Sequence, residues 1–314
     1  RAVIGRIIEL GRRFAGRPIW FPHQLDFRGR LYCVVPGLNP QGADYSKAIL
    51  TFDRGMAIET ERGAGWLAVS GANRYGVDKC SLLHRIQWVD DHEEEIISAG
   101  TDPWGPALDF WTAADKPFQF LAWCMEWAGF KAQGYGFVSH LPVNLDGSCN
   151  GLQHFSAVLR DPVGAAAVNL KGGDLPSDIY GIVAGKAERA VRDYLAGRRA
   201  GWASHMEEGL LEMGMNPAAL AQAWLDFGIG RKITKRSVMT LPYGSTTFSC
   251  REFIAEATWE KLKKGTPNPF TGAEMLPVEG RDGTKKAVWA ASMFLRPFVW
   301  DAIGETVVDR KSVV

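Results

Sequence analysis

The sequence predicts an α+β fold that is predominantly helical. Three observations carry this: several long stretches repeat apolar residues at helical spacing, the β-forming runs are short and flanked by turn residues, and 46% hydrophobic content over 314 residues is ample for one large core or two to three smaller ones.

The opening run R-A-V-I-G-R-I-I-E-L-G-R-R-F begins already inside an amphipathic helical pattern, with Arg and not Met at residue 1. Met293 to Val314 keeps apolar residues at near-helical spacing through Phe294, Phe298, Ile303, Val307 and Val308 and then stops without a cap. Both ends look cut, so the chain is expected to be part of a longer polypeptide. Between them, Ile19 to Pro36 reads as two strands around a turn, with Gly29 between two arginines. Gly37 to Gly55 is a turn-rich loop leading into a short helix. Glu59 to Gln133 reads as mostly helical, with Trp66, Trp88, Trp104, Trp111, Trp123 and Trp127 as a dense aromatic core. Asp174 to Leu195 predicts one helix and Ala219 to Tyr243 another, while Lys263 to Lys286, rich in Gly, Pro and Lys, reads as an exposed excursion.

Net charge is only +1, from 36 basic and 35 acidic residues, so any nucleic-acid surface must arise from local clustering and not from bulk charge. The five cysteines are an odd set at wide spacings without a C-x-x-C pair, which predicts reduced thiols. No apolar run reaches membrane-spanning length and no signal-peptide pattern opens the chain, so a soluble, unsecreted protein with no membrane partner is expected.

Chemistry concentrates in two segments. Leu141 to Arg160 places Asp146 after Leu141, Val143 and Leu145, which alternate as in a half-buried strand, and before Gly147, where the backbone can turn without a Cβ clash. Ser148 or Asn150 is placed to cap a following helix with Leu152, Phe155, Val158 and Leu159 on its apolar face, ended by Asp161-Pro162. A carboxylate presented from a strand end before a tight turn is suited to hold a metal. In the second segment, Arg231 to Gly244, the residues Arg231, Lys235, Met239 and Tyr243 are each four apart and share one helical face. A solvated basic helix explains a bare charge run. It does not explain a thioether and a phenol continuing the stripe. Phosphate oxygens accept Arg as a planar fork and Lys as a point charge, and Tyr243, between Pro242 and Gly244 where the helix should kink or end, could touch a sugar or base.

Other features have plainer readings. The run Asp90-Asp91-His92-Glu93-Glu94-Glu95 reads as a solvated acidic helix face. His154, on the helix after Asp146, reads as a satisfied core histidine, and Asp26 and Arg28 read equally well as structural ion-pair partners or as site residues.

The motif R-x-x-x-K with Y-G eight residues after the lysine is shared by single-subunit polymerases at large. Together, D-G-S-C-N-G-L-Q-H-F-S and T-K-R-S-V-M-T-L-P-Y-G-S closely resemble the bacteriophage-type single-subunit DNA-dependent RNA polymerases, which also have mitochondrial relatives. F-P-H-Q-L-D-F-R-G-R-L-Y, N-P-Q-G, G-V-D-K, D-I-Y-G-I-V and the terminal tryptophan-containing helix extend the resemblance over nearly the whole chain.

The resemblance implies a partial right-hand polymerase fold, with palm strands and helical fingers. It divides the chain into the end of a thumb-side helix (1–16), a first part of the palm (17–58), a helical palm insertion (59–136), the palm with its metal-binding aspartate (137–162) and truncated fingers (163–314). It makes Asp146 a catalytic metal ligand, with the Gly147 carbonyl as a lesser ligand, and Lys235 the catalytic lysine. Arg231, with Arg236 beside it, falls on the incoming triphosphate, and Tyr243 on the ribose of the incoming nucleotide. Arg30 falls near the primer end and the nucleotide, and Asp78, Lys79 and Tyr180 line the nucleotide site. Gly151 stands where DNA polymerases of related layout carry a bulky Glu, which leaves room for a 2′-hydroxyl.

The activity so implied is template-directed RNA synthesis from ribonucleoside triphosphates, with two Mg2+ ions. A double-stranded DNA promoter and template and the nascent RNA are the implied partners of a monomer, phage-encoded and working in the cytoplasm of a bacterial host. One departure bears on this chain alone. The second catalytic aspartate of the family follows a histidine in an H-D-S element, and none of the six histidines here is followed by Asp. The chain by itself is therefore expected to be inactive. Two other readings stand beside this one: a non-catalytic nucleic-acid-binding module, and a DNA polymerase of related layout, disfavoured by Gly151.

Overall fold

The computed structural model describes residues 2–27, 29–173, 175–198, 204–212, 214–271 and 280–307. It has a mainly helical α+β fold in two compact units, residues 1–145 and 146–314.

Unit 1 runs α1 (Ala2–Phe14), β1 (His23–Leu25), β2 (Leu31–Cys33), α2 (Asp44–Ala48), β3 (Met56–Ala57), α3 (Glu61–Tyr75), α4 (Leu82–Asp91), α5 (Glu93–Thr101), α6 (Leu108–Thr112), α7 (Pro117–Gln133) and β4 (Val138–Ser139). The predicted hairpin is present: β1 and β2 are antiparallel, with Gln24 opposite Tyr32. Its turn closes because the Asp26 carboxylate accepts the Arg30 N–H at 2.9 Å and Gly29 takes φ +76°. Arg28, the suggested partner of Asp26, lies outside the described residues. β3 and β4 form a second two-stranded ladder, pairing Met56 with Ser139.

Helix ends in unit 1 follow capping chemistry. Thr60 accepts the Gly63 N–H at 3.2 Å to open α3, and Gly76 closes it in the left-handed region at φ +119°. α7 starts on Pro117, whose missing N–H is no loss there, and its next amide, from Phe118, donates at 2.8 Å to the carboxylate of Asp44, on α2. Around α7 the core closes on Phe120, Trp123 and Trp127, with Ala72, Val89 and Ile96 from the helices packed on it. The buried Trp123 indole N–H donates to the Leu67 carbonyl at 2.8 Å. The predicted aromatic core holds for Trp111, Trp123 and Trp127, whereas Trp66 and Trp104 are 54% and 81% exposed. The acidic run is split by a helix boundary at His92 and is solvated, apart from Glu93, which pairs with Lys131 at 2.8 Å.

Unit 2 contains α8 (Asn150–Leu159), α9 (Pro162–Ala167), α10 (Ile179–Leu195), α11 (Ser204–Glu212), α12 (Pro217–Phe227), α13 (Arg231–Thr240), a 3₁₀ turn (Leu241–Tyr243), α14 (Thr247–Lys263) and α15 (Gly280–Gly304). Its core gathers Val183, Val191, Trp224, Ile233, Ile254, Phe294 and Phe298, with the Trp224 indole N–H donating to the Ala291 carbonyl at 2.8 Å. The helix predicted from Asp174 begins at Ile179, and Asp174 lies outside the described residues. The single helix expected from Ala219 to Tyr243 is two helices and a turn. Gly228, at φ +83°, ends α12, and Gly230, extended, opens α13. The exposed excursion expected at Lys263–Lys286 is corrected at both ends. Phe270 is buried against Trp224 and Phe227, and α15 already begins at Gly280; residues 272–279 lie outside the described part.

The predicted strand before Asp146 is absent among the described residues. Leu141–Leu145 has no ladder partner there, and Val143 and Leu145 are exposed. Alternation of apolar residues marks two faces, but a strand also needs a neighbour to bond. Neither Ser148 nor Asn150 caps α8: the N-cap is Cys149, at φ +58° and with no capping bond from its side chain. Asp161 instead opens α9, accepting the Val163 and Gly164 amides at 2.9 and 3.0 Å. All five cysteines are free thiols, and among the described residues no helix is long and apolar enough to cross a membrane.

α5 approaches α7 closely at Gly100, where an added Cβ would lie 2.3 Å from the Cys124 carbonyl oxygen. Backbone cannot yield as a side-chain tip can, so Gly100→Ala should cost about 1–3 kcal/mol of stability. Urea unfolding checks this, and an unchanged midpoint would refute the packing argument.

Candidate functional site

α13 is amphipathic because Ile233, Thr234, Ser237 and Val238 recur on one face and are buried. Its other face presents Arg231, Lys232, Lys235, Arg236 and Met239. The predicted stripe therefore exists through Met239, and Tyr243 continues it from the 3₁₀ turn, 63% exposed, before Gly244 reverses the chain at φ +79°.

The three cations on which the sequence reading relied differ in their surroundings. Arg231 is anchored: its Nε donates to Asp178 Oδ2 at 2.9 Å and its guanidinium lies 4.9 Å from the Tyr180 ring centroid. Arg236 is turned toward α14, pairing with Glu256 and lying 4.4 Å over the Phe253 ring. Lys235 is exposed and makes no ion pair or hydrogen bond among the described residues. It is the charge best placed to meet a mobile anion.

Tyr180, near the start of α10, joins three elements. Its carbonyl accepts the buried Thr234 hydroxyl of α13 at 2.8 Å, its ring supports Arg231, and its phenol is hydrogen-bonded with the Cys149 thiol before α8. Burial, followed by that thiol contact, pushes the Tyr180 phenol well above its ordinary range, so it remains protonated.

Gly151, in the first turn of α8, faces the 3₁₀ turn after α13. A Cβ there would lie 3.0 Å from Pro242 Cγ and 3.8 Å from the Tyr243 hydroxyl. Its smallness thus has a packing role beside any role toward a ligand. Asp146 is exposed, and its Oδ1 accepts the Gly147 N–H at 2.9 Å. His154 is exposed on α8, which overturns the core-histidine reading.

In unit 1, Arg30 is held by the hairpin turn through its backbone, and Asp78 and Lys79 pair with each other beyond the end of α3. The Asp78 carbonyl also accepts the Arg85 guanidinium at 3.0 Å, which fixes the loop. Sequence reasoning gave Asp178, Cys149 and Thr234 no individual role. The available signal was the placement of Asp178 two residues before Tyr180, at the N-cap of α10.

A divalent ion bound at Asp146 would find one carboxylate and, from Gly147, one carbonyl. Among the described residues no group of three His, Cys, Asp or Glu side chains could enclose an ion. The donors present fit one side of a metal site and not a complete one.

The family model for DNA-dependent RNA polymerase matches residues 58–313, and the chain belongs to that family. It is 38% identical over 309 residues to the DNA-directed RNA polymerase of Enterobacteria phage T3, covering 96% of this chain and 33% of that protein. It is 37% identical over 309 residues to T7 RNA polymerase of Escherichia phage T7, with the same coverage. The mitochondrial DNA-directed RNA polymerase of Mus musculus is 37% identical over 267 residues, covering 81% of this chain and 20% of that protein. The chain thus spans about a third of the length of its phage relatives.

Gly151→Val tests the packing role alone. It should lower stability by about 1–3 kcal/mol through the clash with Pro242, read as a shift in the denaturant midpoint. A midpoint equal to that of the parent would mean that the 3₁₀ turn yields freely.

Proposed function

We propose that this chain forms part of the nucleotide site of a template-directed RNA polymerase, joining ribonucleoside triphosphates on a DNA template. The observation that supports it most is the outer face of α13 and its 3₁₀ turn, where Arg231, Lys235 and Tyr243 follow one another opposite Gly151 in unit 2. A triphosphate lying along that face would meet Arg231 as an oriented fork and Lys235 as a free ammonium, with the sugar toward Tyr243. In this reading Lys235 offsets charge developing on the leaving pyrophosphate and donates a proton to it. Arg236 acts nearby after leaving Glu256. Tyr180 works from beneath by positioning Arg231, and the resemblance gives Arg30, Asp78 and Lys79, in unit 1, nucleotide and primer contacts in the complete protein.

Asp146, with the Gly147 carbonyl, would hold Mg2+. In polymerases paired ions clamp the attacking and leaving oxygens. The second carboxylate must come from another part of the protein, so this chain alone is inactive. Gly151 admits a 2′-hydroxyl, which favours ribonucleotides. In this reading residues 1–16 end a thumb-side helix, 17–58 and 137–162 belong to the palm, 59–136 are its helical insertion and 163–314 the fingers. The complete protein binds promoter and template DNA and nascent RNA as a monomer. The phage matches extend over 96% of the chain and the mouse mitochondrial match over 81%, which favours a phage-encoded protein acting in a bacterial cytoplasm.

In the complete protein, Asp146→Asn should abolish nucleotide incorporation while leaving DNA affinity within about twofold, because the amide keeps the shape and loses the charge. Turnover near that of the parent would remove Asp146 from the metal site. Tyr243→Phe should reduce ribo- over deoxynucleotide discrimination about ten- to a hundredfold, the worth of about one hydrogen bond, and slow ribonucleotide incorporation much less. The ratio of kcat/KM for matched nucleotides measures this. An unchanged ratio would leave Tyr243 a packing residue.

A further inference from the structure

Unit 1 contains a cavity of about 570 Å3, floored by α3 and α7 and walled by the segments after α1 and α2 and by residues 140–144. None of the residues proposed above for nucleotidyl transfer lines it. Its floor includes Arg74, which is 7% exposed. The Arg74 guanidinium bonds only neutral oxygens: the Ser70 carbonyl at 2.9 Å, the Ser70 hydroxyl, and the Pro142 carbonyl at 2.7 Å. Its Nε is buried with no hydrogen-bond partner, and no carboxylate pairs with it among the described residues. Burial pulls its pKa down to about 10, so at neutral pH it is a buried cation without a counter-ion among the described residues.

Buried charges are normally paired, because removing one from water is costly. Here the walls add positive charge. Arg17 at the mouth and the half-buried Lys47 make no ion pair among the described residues, and the wall carries one carboxylate, the exposed Asp53. One of the two Gln119 amide N–H groups is committed to Asp44 Oδ1 at 2.9 Å. Three cations against one carboxylate, in a concave and partly desolvated site, attract an anion. The volume lies within the range of small-ligand pockets, and Arg and Lys side chains reaching in from separate segments suit the several oxygens of a phosphate.

We propose that this cavity binds a phosphate group, carried by a free nucleotide or by a nucleic-acid backbone, with Arg17 and Lys47 as direct contacts and Arg74 as the buried charge beneath them. Because every lining residue lies in unit 1, the site is separable from the one that contains Asp146 and Lys235.

Hydrogen exchange on the complete protein tests this locally. It should be measured with pyrophosphate and, separately, with a ten-nucleotide single-stranded DNA, reading residues 17–21, 47–53 and 140–144. At least one probe should slow exchange there about threefold or more. Protection by pyrophosphate alone assigns the site to a free phosphate, and protection by DNA alone to a backbone phosphate. Arg17→Ala with Lys47→Ala, both near the surface, should weaken the protecting probe at least about tenfold, the loss expected for removed charge-assisted hydrogen bonds. Arg74→Met should weaken it similarly while keeping volume. Exchange indifferent to both probes would overturn the proposal, including the case where the segments are protected already by a carboxylate from elsewhere in the protein. Protection that survives the double substitution would overturn it too.

Discussion

The arrangement of unit 2 depends on Tyr180, which makes three different kinds of contact at once. Its backbone fixes α13 through a buried hydroxyl, its ring holds the Arg231 guanidinium, and its phenol reaches the residue that starts α8. The carbonyl contact locks the rotation of α13 about its own axis, and this decides which residues of R-K-I-T-K-R-S-V-M-T face outward. With Thr234 turned inward, Lys235 and Met239 point away from the core. Helix periodicity makes such a face available; one buried hydroxyl chooses its direction.

Charge on that face is graded by its neighbours. Arg231 is shared between Asp178 and an aromatic ring, Arg236 is occupied by Glu256, and Lys235 is uncommitted among the described residues. An arriving anion could use Lys235 at once, whereas drawing on Arg236 requires breaking an ion pair. That pair is half-exposed, so solvent already screens it and its release costs little. Arg231 need not leave Asp178 entirely, since its remaining N–H groups make no hydrogen bond among the described residues and can fork toward a ligand.

Much of this was legible in the sequence wherever the governing forces are local. The spacing of Arg231, Lys235 and Met239 gave their common face, Gly29 gave the hairpin turn, and the motifs around Asp146 and Tyr243 gave the family. Readings failed where the outcome depends on distant partners. Leu141, Val143 and Leu145 alternate as a strand would, but no neighbouring strand bonds them among the described residues. The tryptophans are alike in sequence, yet Trp123 is buried and Trp104 is not, because burial depends on which helix faces which. The break at Gly228 and Gly230 was a local signal that apolar periodicity on either side outweighed. At the site, Asp178 and Cys149 escaped notice because their roles are defined by Tyr180 and not by neighbours in sequence. The buried Arg74 gave no sequence signal at all, since a lone arginine in a helix reads as solvated.

The contact between Gly151 and Pro242 also constrains how such a chain can change over time. One position serves two purposes: it closes α8 against the turn after α13, and under the proposed function it leaves space beside the sugar. A larger side chain at 151 alone would meet Pro242 before it could meet a ligand. Altering sugar preference at this position would therefore need a compensating change at 242, and the intermediate with only one of the two would be the less stable protein. The two residues are an epistatic pair, and selection acting on either would encounter the other first.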